Sequence, residues 1–406
     1  MKIIISLFVF SFLTGNTFAQ HSNGCLVDDK MTSDRVDFEK SMKEKKAHSA
    51  SSQATVLTVP IVIHVIYHGA IENISDAQIM AQLDTVAKDY RRLNADTINT
   101  PTAFKPFAAD AQIEFCLAKR DPFGNPSTGI NRKFTDSLQF VAGPGTGDHM
   151  KYNSSGGMDA WDTHKYLNIW ICNLTGASGF SGNPMGHGNA WDGIVMNYTI
   201  LDGRHLLSHE IGHYLNLMHV YGNENPNCEP TDGGDQVSDT PDQAWSTFGC
   251  PAFPQTDSCT TTAPGIMFMN FMDQTNSTCQ NLFTLGQVTR MRDALTVARA
   301  SLLTSNGCVP TVASVGDPET EKEITVYPNP SEGKFSIFNA QYPIINVDVY
   351  NVLGELVYSS INTPHLPAGR QDSTFNQIDI SSHLPGIYII HITTSKEFIT
   401  RKVVKE

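Results

Sequence analysis

The chain has 406 residues, which is enough for more than one domain of ordinary size. Its composition, 40% hydrophobic and 17% charged, is that of an ordinary soluble protein. The net charge of -13 argues against nucleic acid or an anionic membrane as the main partner, because a phosphate-binding surface needs clustered Lys and Arg.

The first 19 residues have the features of a targeting segment. A lysine at position 2 is followed by a nearly unbroken apolar run from Ile3 to Leu13, and Thr17–Ala19 resembles a cleavage site. We therefore predict a signal peptide over residues 1–19, too short to remain across a bilayer. No other segment approaches a spanning length, so the sequence predicts an exported protein without a stable membrane span. Export makes disulfides plausible for the eight cysteines.

Residues 20–55 are polar and lack periodically spaced apolar residues. This pattern predicts a pro-segment or a flexible leader, and a merely disordered tail is the equal alternative. The sequence predicts no secondary structure for this leader.

Regular structure is expected from Val56 onwards. Apolar residues alternate from Val59 to Tyr67, and most residues between them are also apolar, which indicates a strand buried on both faces. Ser75 and Gln78 form the pattern of a helix capping box, and apolar residues at helical spacing follow from Ile79 to Leu93.

Further strands are predicted at Gln112–Leu117, Tyr166–Cys172 and Gly193–Tyr198. The Gly-rich stretch Thr175–Asn189 is typical of loops around an edge strand. Together these elements predict a mixed α/β (α+β) domain over residues 56–304, in which a helix backs a twisted mixed sheet.

A second break in regularity covers residues 305–322, where prolines, a glycine and acidic residues predict a linker. Short strands with Gly and Pro turns between them follow and predict a small all-β sandwich over residues 323–406. The predicted strands are Ile324–Tyr327, Lys334–Ile337, Ile345–Tyr350, Leu356–Ser359, Gln377–Ile380, Gly386–Thr393 and Phe398–Val404.

The segment from His209 to His219 carries the strongest chemical signal. On a helix, His209 and His213 lie one turn apart, so both imidazoles project from one face and can bind one zinc ion. Glu210 lies about 100° around the helix from His209, where it can act on a metal-bound water without being a ligand. A straight helix cannot bring His219 to the same ion, so we expect a sharp turn at about Asn216.

Three neutral imidazoles leave one zinc coordination position for water, which is the arrangement of a catalytic rather than a structural site. The metal lowers the pKa of that water towards about 7, and Glu210 can take the proton and deliver it to the leaving group. The alternative, three unrelated histidines on a helix and a loop, is improbable because only 14 histidines are spread over the chain. The residues alone imply metal-assisted hydrolysis.

This segment resembles the zinc motif of the metzincin peptidases, and its surroundings are similar to those of the pappalysin family. Asn270–Asp273 is similar to the family's Met-turn, whose methionine, Met272 here, forms an apolar floor beneath the zinc. Thr284–Met291 is similar to the start of the family's C-terminal helix. The resemblance covers about residues 55–305 and implies a secreted zinc endopeptidase that cleaves proteins or peptides.

Two residues depart from the family pattern. Asn216 stands where metzincins have Gly, and asparagine is the next most tolerant residue for a left-handed turn. Gln274 stands where many relatives carry a tyrosine that helps to stabilise the tetrahedral intermediate. The Gln274 amide could donate a hydrogen bond in its place, or that contribution is missing and activity is reduced.

The resemblance also implies disulfides and a second metal. Of the three connectivities open to the four cysteines after the zinc motif, it implies Cys228–Cys259 and Cys250–Cys279, which would brace the lower lobe. It also implies calcium near Asp235, Asp239 and Thr240, and a solvated acidic loop is the equal alternative.

The remaining cysteines leave several alternatives open. Cys25 in the leader could reach the zinc as a thiolate and keep an enzyme latent as a zymogen, but pairing with Cys308 or remaining unpaired is the favoured expectation. Cys116 and Cys172 lie in predicted strands and form a pair or are small core residues.

The C-terminal segment resembles the type IX sorting domain in four places, Val326–Pro330, Gly333–Ile337, Val349–Gly354 and Asp379–Tyr388. The resemblance implies recognition by the type IX secretion machinery after export through the periplasm, and hence a secreted or bacterial cell-surface protein. A generic binding sandwich is the alternative.

A substrate is expected to bind extended, as an added strand at the sheet edge near Ser178–Ala190. The main rival to a peptidase is a catalytically weak or inactive surface binding protein that keeps the metzincin fold. A deacetylase or amidase with the same zinc is a second rival, against which the Met-turn resemblance counts.

Overall fold

A computed structural model describes residues 25, 33–47, 55–142, 148–222, 228, 234–310, 324–339, 344–361, 374–394 and 398–406. The chain forms two compact units, Met1–Thr311 and Val312–Glu406. This boundary falls inside the predicted linker, most of which lies outside the described residues, as does the whole predicted signal peptide.

The first unit combines a sheet with helices along one chain. Its helices are α1 (Ser33–Ala47), α2 (Asp76–Tyr90), α3 (Leu206–Tyr214), α4 (Leu285–Asp293) and α5 (Ala300–Leu303), and a π-helical turn, Ala294–Ala298, joins α4 to α5. Its strands are β1 (Leu57–Tyr67), β2 (Ile113–Leu117), β3 (Ile130–Phe134), β4 (Phe140–Val141), β5 (Leu167–Cys172), β6 (Leu174–Thr175), β7 (Gly179–Ser181) and β8 (Ile194–Asn197).

The main sheet has the order β2-β1-β5-β8-β7, and β3 also pairs with β1. All pairs are parallel except that of β7 with β8, so β7 is an antiparallel edge strand. The inner part of β1 is buried on both faces, as its nearly continuous apolar sequence predicts. The prediction of a mixed α/β domain is confirmed.

Helix α2 begins with the predicted capping box. The Ser75 side chain accepts from the Gln78 amide and the Gln78 side chain accepts from the Ser75 amide, which satisfies two backbone donors that the first turn leaves open. The buried face of α2 includes Ile79, Val86 and Tyr90, which pack into the same core as the apolar residues of β1.

The C-terminal end of α2 positions α3 through buried polar contacts. Asp89 accepts hydrogen bonds from Ser208 Oγ at 2.5 Å and from His205 Nδ1 at 2.7 Å, and Tyr90 Oη donates to the Ser208 carbonyl at 3.1 Å. Burial lowers the pKa of His205, but its bonds to Asp89 and Asp96 outweigh burial and raise that pKa to about 9. A charged His205 therefore holds the start of α3 against α2.

The leader contains a helix that the sequence did not predict. Arg35 and Glu39 of α1 are only 4% and 8% exposed, and Met42 is 7% exposed. Since two of these three buried residues are charged, the buried face has no apolar periodicity. The alternative of a merely disordered tail is wrong for residues 33–47.

A buried ion pair joins the C-terminal helices to the sheet edge. Arg299 and Asp192 are almost fully buried, and the guanidinium contacts both carboxylate oxygens at 2.5 and 2.9 Å. Arg299 also donates to the Tyr214 carbonyl at 2.9 Å and stacks on the Tyr214 ring at 3.4 Å. Although burial raises the pKa of Asp192, Arg299 outweighs this effect and leaves the pKa lowered. Arg299 thus ties the end of α3 to the loop after β7.

Cys116 of β2 forms a disulfide with Cys308. The expected pair of Cys25 with Cys308 is therefore wrong, and so is a pair of Cys116 with Cys172. Cys172 is a fully buried thiol in β5, and burial raises its pKa. The Cys116–Cys308 bond links two positions 192 residues apart, which sequence spacing could not reveal.

The second unit contains all the predicted C-terminal strands. They form an antiparallel sheet of the order β13-β10-β9 and another of the order β12-β11-β14-β15. The strands are β9 (Ile324–Tyr327), β10 (Lys334–Asn339), β11 (Ile344–Asn351), β12 (Leu356–Ile361), β13 (Thr374–Asp379), β14 (Gly386–Thr394) and β15 (Phe398–Lys405). Buried residues of both sheets, among them Phe335, Ile378 and Val349, share one apolar core, as in a sandwich.

Among the residues that the structure describes, no helix combines the length and the apolar character needed to cross a membrane.

The substitution Arg299→Met should lower the free energy of unfolding of the first unit by about 3–5 kcal/mol, because it leaves the buried Asp192 carboxylate without its ion partner. Urea unfolding followed by tryptophan fluorescence measures this, since all four tryptophans, at positions 161, 170, 191 and 245, belong to the first unit. Arg292→Met removes the same charge from a partly exposed arginine whose hydrogen bonds among the described residues go to the backbone carbonyls of Ala111, Gln112 and Thr55, and should cost about 1 kcal/mol. Equal losses for both variants would contradict the ion-pair argument.

Candidate active site and metal centre

Helix α3 ends in a left-handed turn that redirects the chain. Asn216 has φ 75°, and its amide donates to the His213 carbonyl while the Leu217 amide donates to the Gly212 carbonyl. These two bonds form a Schellman motif, which satisfies carbonyls at the helix end. The predicted turn at Asn216 is confirmed, and it directs the chain back so that His219 lies beside α3.

The three histidines meet at one point. His213 Nε2 is 3.1 Å from His209 Nε2 and 3.2 Å from His219 Nε2. With the Cys25 sulfur, the ligand atoms of these residues all lie within 4.8 Å of one another. All three rings are buried, and burial lowers the pKa of His219 to about 3, so that this ring is neutral.

The outer nitrogens of two rings are held by backbone carbonyls. His209 Nδ1 is 2.7 Å from the Phe271 carbonyl, and His213 Nδ1 is 2.9 Å from the Leu217 carbonyl. Each Nδ1 must donate there, which leaves the lone pair of each Nε2 pointing inward. Zinc bonds of about 2.0–2.1 Å in tetrahedral geometry place ligand nitrogens about 3.4 Å apart. The three rings therefore fit a zinc ion.

Met272 lies fully buried beneath α3. A Cβ added to Gly212 would lie 2.5 Å from the Met272 sulfur, so the helix packs directly on this side chain. The turn that carries Met272 is fixed by Asn270, whose side chain accepts from the Met272 amide and exchanges two hydrogen bonds with Gln287. Gln287 is also the capping-box residue of α4, after Thr284. The Met-turn is thus tied to the start of α4.

Glu210 is fully buried beside the histidines. Its Oε2 accepts from Cys25 Sγ at 3.4 Å, and its Oε1 has no hydrogen-bond partner among the described residues. Burial raises the pKa of Glu210 to about 8, against the opposing effect of the Cys25 bond. A Cβ added to Gly179 would lie 3.1 Å from Oε1, so the edge strand β7 passes directly by this carboxylate.

The leader lies against the same edge strand. Cys25 forms a parallel β-bridge with Gly179 of β7, which is within the stretch Ser178–Ala190 where substrate binding is expected. The Cys25 sulfur thereby reaches the histidine cluster and Glu210. Of the alternatives for this cysteine, the structure has the one in which it reaches the predicted metal position.

Gln274 lies beside the third histidine. Its Nε2 is 3.2 Å from His219 Nε2 and 3.2 Å from Tyr221 Oη. The Tyr221 ring is stacked on the His219 ring, with centroids 4.7 Å apart and planes 8° apart. Sequence reasoning singled out Gln274 but missed Tyr221, because an aromatic residue two positions after the last histidine carries no motif of its own.

The lower lobe contains the disulfides Cys228–Cys259 and Cys250–Cys279, which are the pairs that the resemblance implies. Of the three residues expected to bind calcium, Asp239 lies at the start of α4.

Protein donors already contact the carboxylates expected to bind calcium. Asp239 accepts from Thr284 Oγ1 at 2.6 Å and from the Gly286 amide at 2.8 Å, and so caps α4. Thr240 Oγ1 lies 2.9 Å from both oxygens of the buried Asp235, so that its one hydroxyl proton can be shared between them, and burial raises the pKa of Asp235 to about 7. A calcium ion here stays a prediction.

Sequence comparison identifies two regions. Residues 151–296 match the model of a peptidase family described as pregnancy-associated plasma protein-A. Residues 325–406 match a secretion-system C-terminal sorting domain. An extracellular metalloprotease of Neurospora crassa is 31% identical over 221 residues, which cover 48% of this chain and 74% of that protein.

Two solved structures from Tannerella forsythia are similar to this chain. A promirolysin mutant is 37% identical with a TM-score of 0.64, and the match covers 70% of this chain and 97% of that one. Mature mirolysin in complex with a cleaved peptide is 41% identical with a TM-score of 0.57, covering 63% and 97% of the two chains.

The substitution Gly212→Ala should lower the free energy of unfolding by about 1–2 kcal/mol. The new methyl group would lie 2.5 Å from the buried Met272 sulfur, far inside contact distance, so we expect an overpacking cost of about 2–3 kcal/mol, which exceeds the gain in helix propensity of about 1 kcal/mol. Urea unfolding followed by tryptophan fluorescence measures the change. Gly69→Ala is the matched control, because an added Cβ there contacts nothing within 4 Å, and it should change stability by less than about 0.5 kcal/mol. A Gly212→Ala variant as stable as the control would show that Met272 does not constrain the helix.

Proposed function

Since the chain belongs to the pregnancy-associated plasma protein-A family of peptidases, the pappalysins, we propose that it hydrolyses peptide bonds with a zinc ion held by His209, His213 and His219 and with Glu210 as general base. It is a secreted metalloendopeptidase that carries a C-terminal sorting domain. The observation that carries the proposal is the convergence of three imidazole nitrogens, 3.1 and 3.2 Å from neighbour to neighbour, beside a buried carboxylate.

The chain's own residues would have separate roles in this reaction. A zinc ion at the three histidines supplies a Lewis acid that polarises a water molecule and the scissile carbonyl. The Phe271 and Leu217 carbonyls keep two of the rings in the tautomer that binds metal. Glu210, held next to the edge strand, takes the proton and later delivers it to the leaving amine.

The substrate would bind extended along β7. Within the main sheet this strand pairs with β8 on one side only, so its other edge, which passes beside Glu210, is available to a strand from outside the sheet. The bridge between Cys25 and Gly179 supports this proposal, because it is a backbone pairing of the same kind on the same edge. A protein or peptide could therefore enter only after the leader leaves.

We further propose that the leader keeps the precursor latent. Cys25 occupies the substrate edge, and its sulfur lies where a fourth ligand would complete a tetrahedral zinc site. Its hydrogen bond to Glu210 also engages the proposed base. Cys25 would thus cover the substrate edge, fill the open coordination position of the zinc and engage the proposed base.

Gln274 and Tyr221 are proposed to replace the tyrosine that many relatives carry at position 274. The Tyr221 hydroxyl holds the Gln274 amide at the rim of the metal site, where an amide N–H could donate to the oxygen that becomes negative in the tetrahedral intermediate. The two side chains would then provide together the hydrogen-bond donor to the intermediate that a single tyrosine hydroxyl provides in those relatives.

For the whole chain we propose a signal peptide at 1–19, a leader at 20–55, a peptidase domain at 56–304, a linker at 305–322 and a type IX sorting domain at 323–406. The sorting-domain match to residues 325–406 supports the last of these. A binding protein with little or no activity remains the second candidate, because Gln274 replaces the usual tyrosine.

The substitution Glu210→Gln should reduce casein hydrolysis by at least about 100-fold and leave one bound zinc per chain, because it removes the base and keeps the ligands. Hydrolysis and zinc content should be measured on protein freed of its leader, with and without a chelator. Glu114→Gln, which neutralises an exposed carboxylate on β2, should leave both unchanged. If the unaltered chain binds zinc and cleaves nothing after leader removal, the binding-protein alternative is favoured instead.

Tyr221→Phe and Gln274→Ala should each lower kcat by about 10-fold or more and leave KM and zinc content near those of the unaltered enzyme, because a donor in the transition state is lost or misplaced. Phenylalanine keeps the stack on His219, so Tyr221→Phe removes only the hydroxyl. The double variant should be no worse than Gln274→Ala alone, since the hydroxyl acts through the amide. Additive losses, or loss of zinc, would contradict the shared role.

A further inference from the structure

Helix α1 of the leader docks through a buried polar clasp on the turn that follows the histidine helix. Arg35 Nη2 donates to Asn216 Oδ1 at 3.0 Å, and Asn216 Nδ2 donates to Glu39 Oε1 at 3.3 Å. Glu39 also accepts hydrogen bonds from both terminal nitrogens of Arg290, with Nη1 at 3.1 Å. Arg35 and Glu39 lie one helical turn apart and are 3.5 Å from each other, so one face of α1 carries the whole leader side of the clasp.

Asn216 and Arg290 belong to the proposed peptidase domain, residues 56–304, which we call the body. Their side of the clasp is held in place independently of the leader. Arg290 Nε donates to the Asn216 carbonyl at 2.6 Å, within the body. Asn216 is fixed by the two Schellman bonds, and Arg290 belongs to α4, whose start is capped by Thr284 and Asp239. A receptor that is already ordered loses little conformational entropy when a helix docks on it.

The clasp and Cys25 are separate anchors. Cys25 is bound at the β7 edge, and Glu39 is bound 14 residues further along the chain, at the far side of the turn after α3. Met42 of α1 is buried, and α1 contacts the π-helical turn Ala294–Ala298, which extends the docked surface beyond the charges. Both anchors lie on the N-terminal side of residues 48–54, which separate α1 from the start of the catalytic body.

We propose that this clasp makes the leader a noncovalent inhibitor that stays bound after the chain is cut between α1 and β1. The inference rests on the proposed peptidase function and adds to it a second binding site, formed by Asn216 and Arg290, for a helix that bears Arg and Glu one turn apart. A cut in residues 48–54 leaves Cys25, Arg35 and Glu39 on one peptide, so two anchors still act together. Activation therefore requires the leader to be degraded or displaced, and a single cut is not sufficient.

The charges explain why the clasp depends on Glu39. The buried carboxylate lies between the guanidinium groups of Arg35 and Arg290, and a two-pronged Arg–carboxylate contact is among the strongest polar interactions. Without that negative charge, the two arginines face each other in a buried setting and repel. Loss of one charge in the leader should therefore release it without any change in the body.

The test uses the full chain with a site for a sequence-specific protease in place of residues 48–54, in a Glu210→Gln background that prevents self-digestion. After the cut, the leader should co-elute with the body in size-exclusion chromatography at micromolar concentration. Glu39→Gln should weaken this retention by at least about 100-fold, measured over a dilution series with mass spectrometry of the peak. Arg35→Gln, also confined to the leader, should weaken it in the same direction.

Asp37→Asn is the matched control, because it removes the same charge from the exposed face of α1 and should leave retention unchanged. The tryptophan unfolding transition of each uncut variant shows whether the body is folded. Release of the unaltered leader on cutting would overturn the proposal, and so would release by Asp37→Asn or retention by Glu39→Gln. If Cys25→Ser alone abolishes retention, Cys25 is the only anchor and the proposal is wrong. Retention is measured without hydrolysis, so a failed peptidase assay does not affect it.

Discussion

The proposed metal centre depends on one backbone constraint, which is that the chain must reverse after a nine-residue helix and bring a third histidine beside the first two. Asn216 meets this constraint by adopting a left-handed conformation, with φ 75°, and by closing the helix with Schellman bonds. Asparagine pays a conformational cost that glycine would not. Its side chain also makes buried hydrogen bonds to Arg35 and Glu39 of the leader, which offset part of that cost. The residue that shapes the metal site therefore also receives the leader.

Around this turn, buried hydrogen bonds rather than apolar packing set the positions of the functional groups. Asp89 holds the start of α3, Arg299 holds its end, and Asn270 holds the Met-turn beneath it. Each of these side chains is buried and hydrogen-bonded to specific partners, which favours one arrangement of each. Apolar residues such as Ile211 and Leu215 bury the helix, but they tolerate small shifts that a metal site cannot.

The local patterns of the sequence predicted local structure well. The capping box at Ser75 and Gln78, the doubly buried β1, the turn at Asn216 and the C-terminal strands are all present, because each depends on residues close together in the chain. Helix α1 was missed because its buried face is charged and its partners, Asn216 and Arg290, are 181 and 251 residues away from Arg35 and Glu39. The pairing of Cys116 with Cys308 was missed for the same reason, since β2 and the segment that follows α5 meet only in the folded chain.

The sequence by itself determined which chemistry is available, because the spacing of His209, Glu210 and His213 on one helix puts the proposed ligands and the proposed base on defined sides of that helix, whatever surrounds it. Only the tertiary structure decided which distant residues lie beside these groups. It placed Cys25 on the edge strand, Tyr221 behind Gln274 and the leader helix on the turn. The physical reason is that spacing within a helix is fixed by local geometry. Contacts between distant segments form only when the whole chain folds, because buried charges and sheet edges must then be paired.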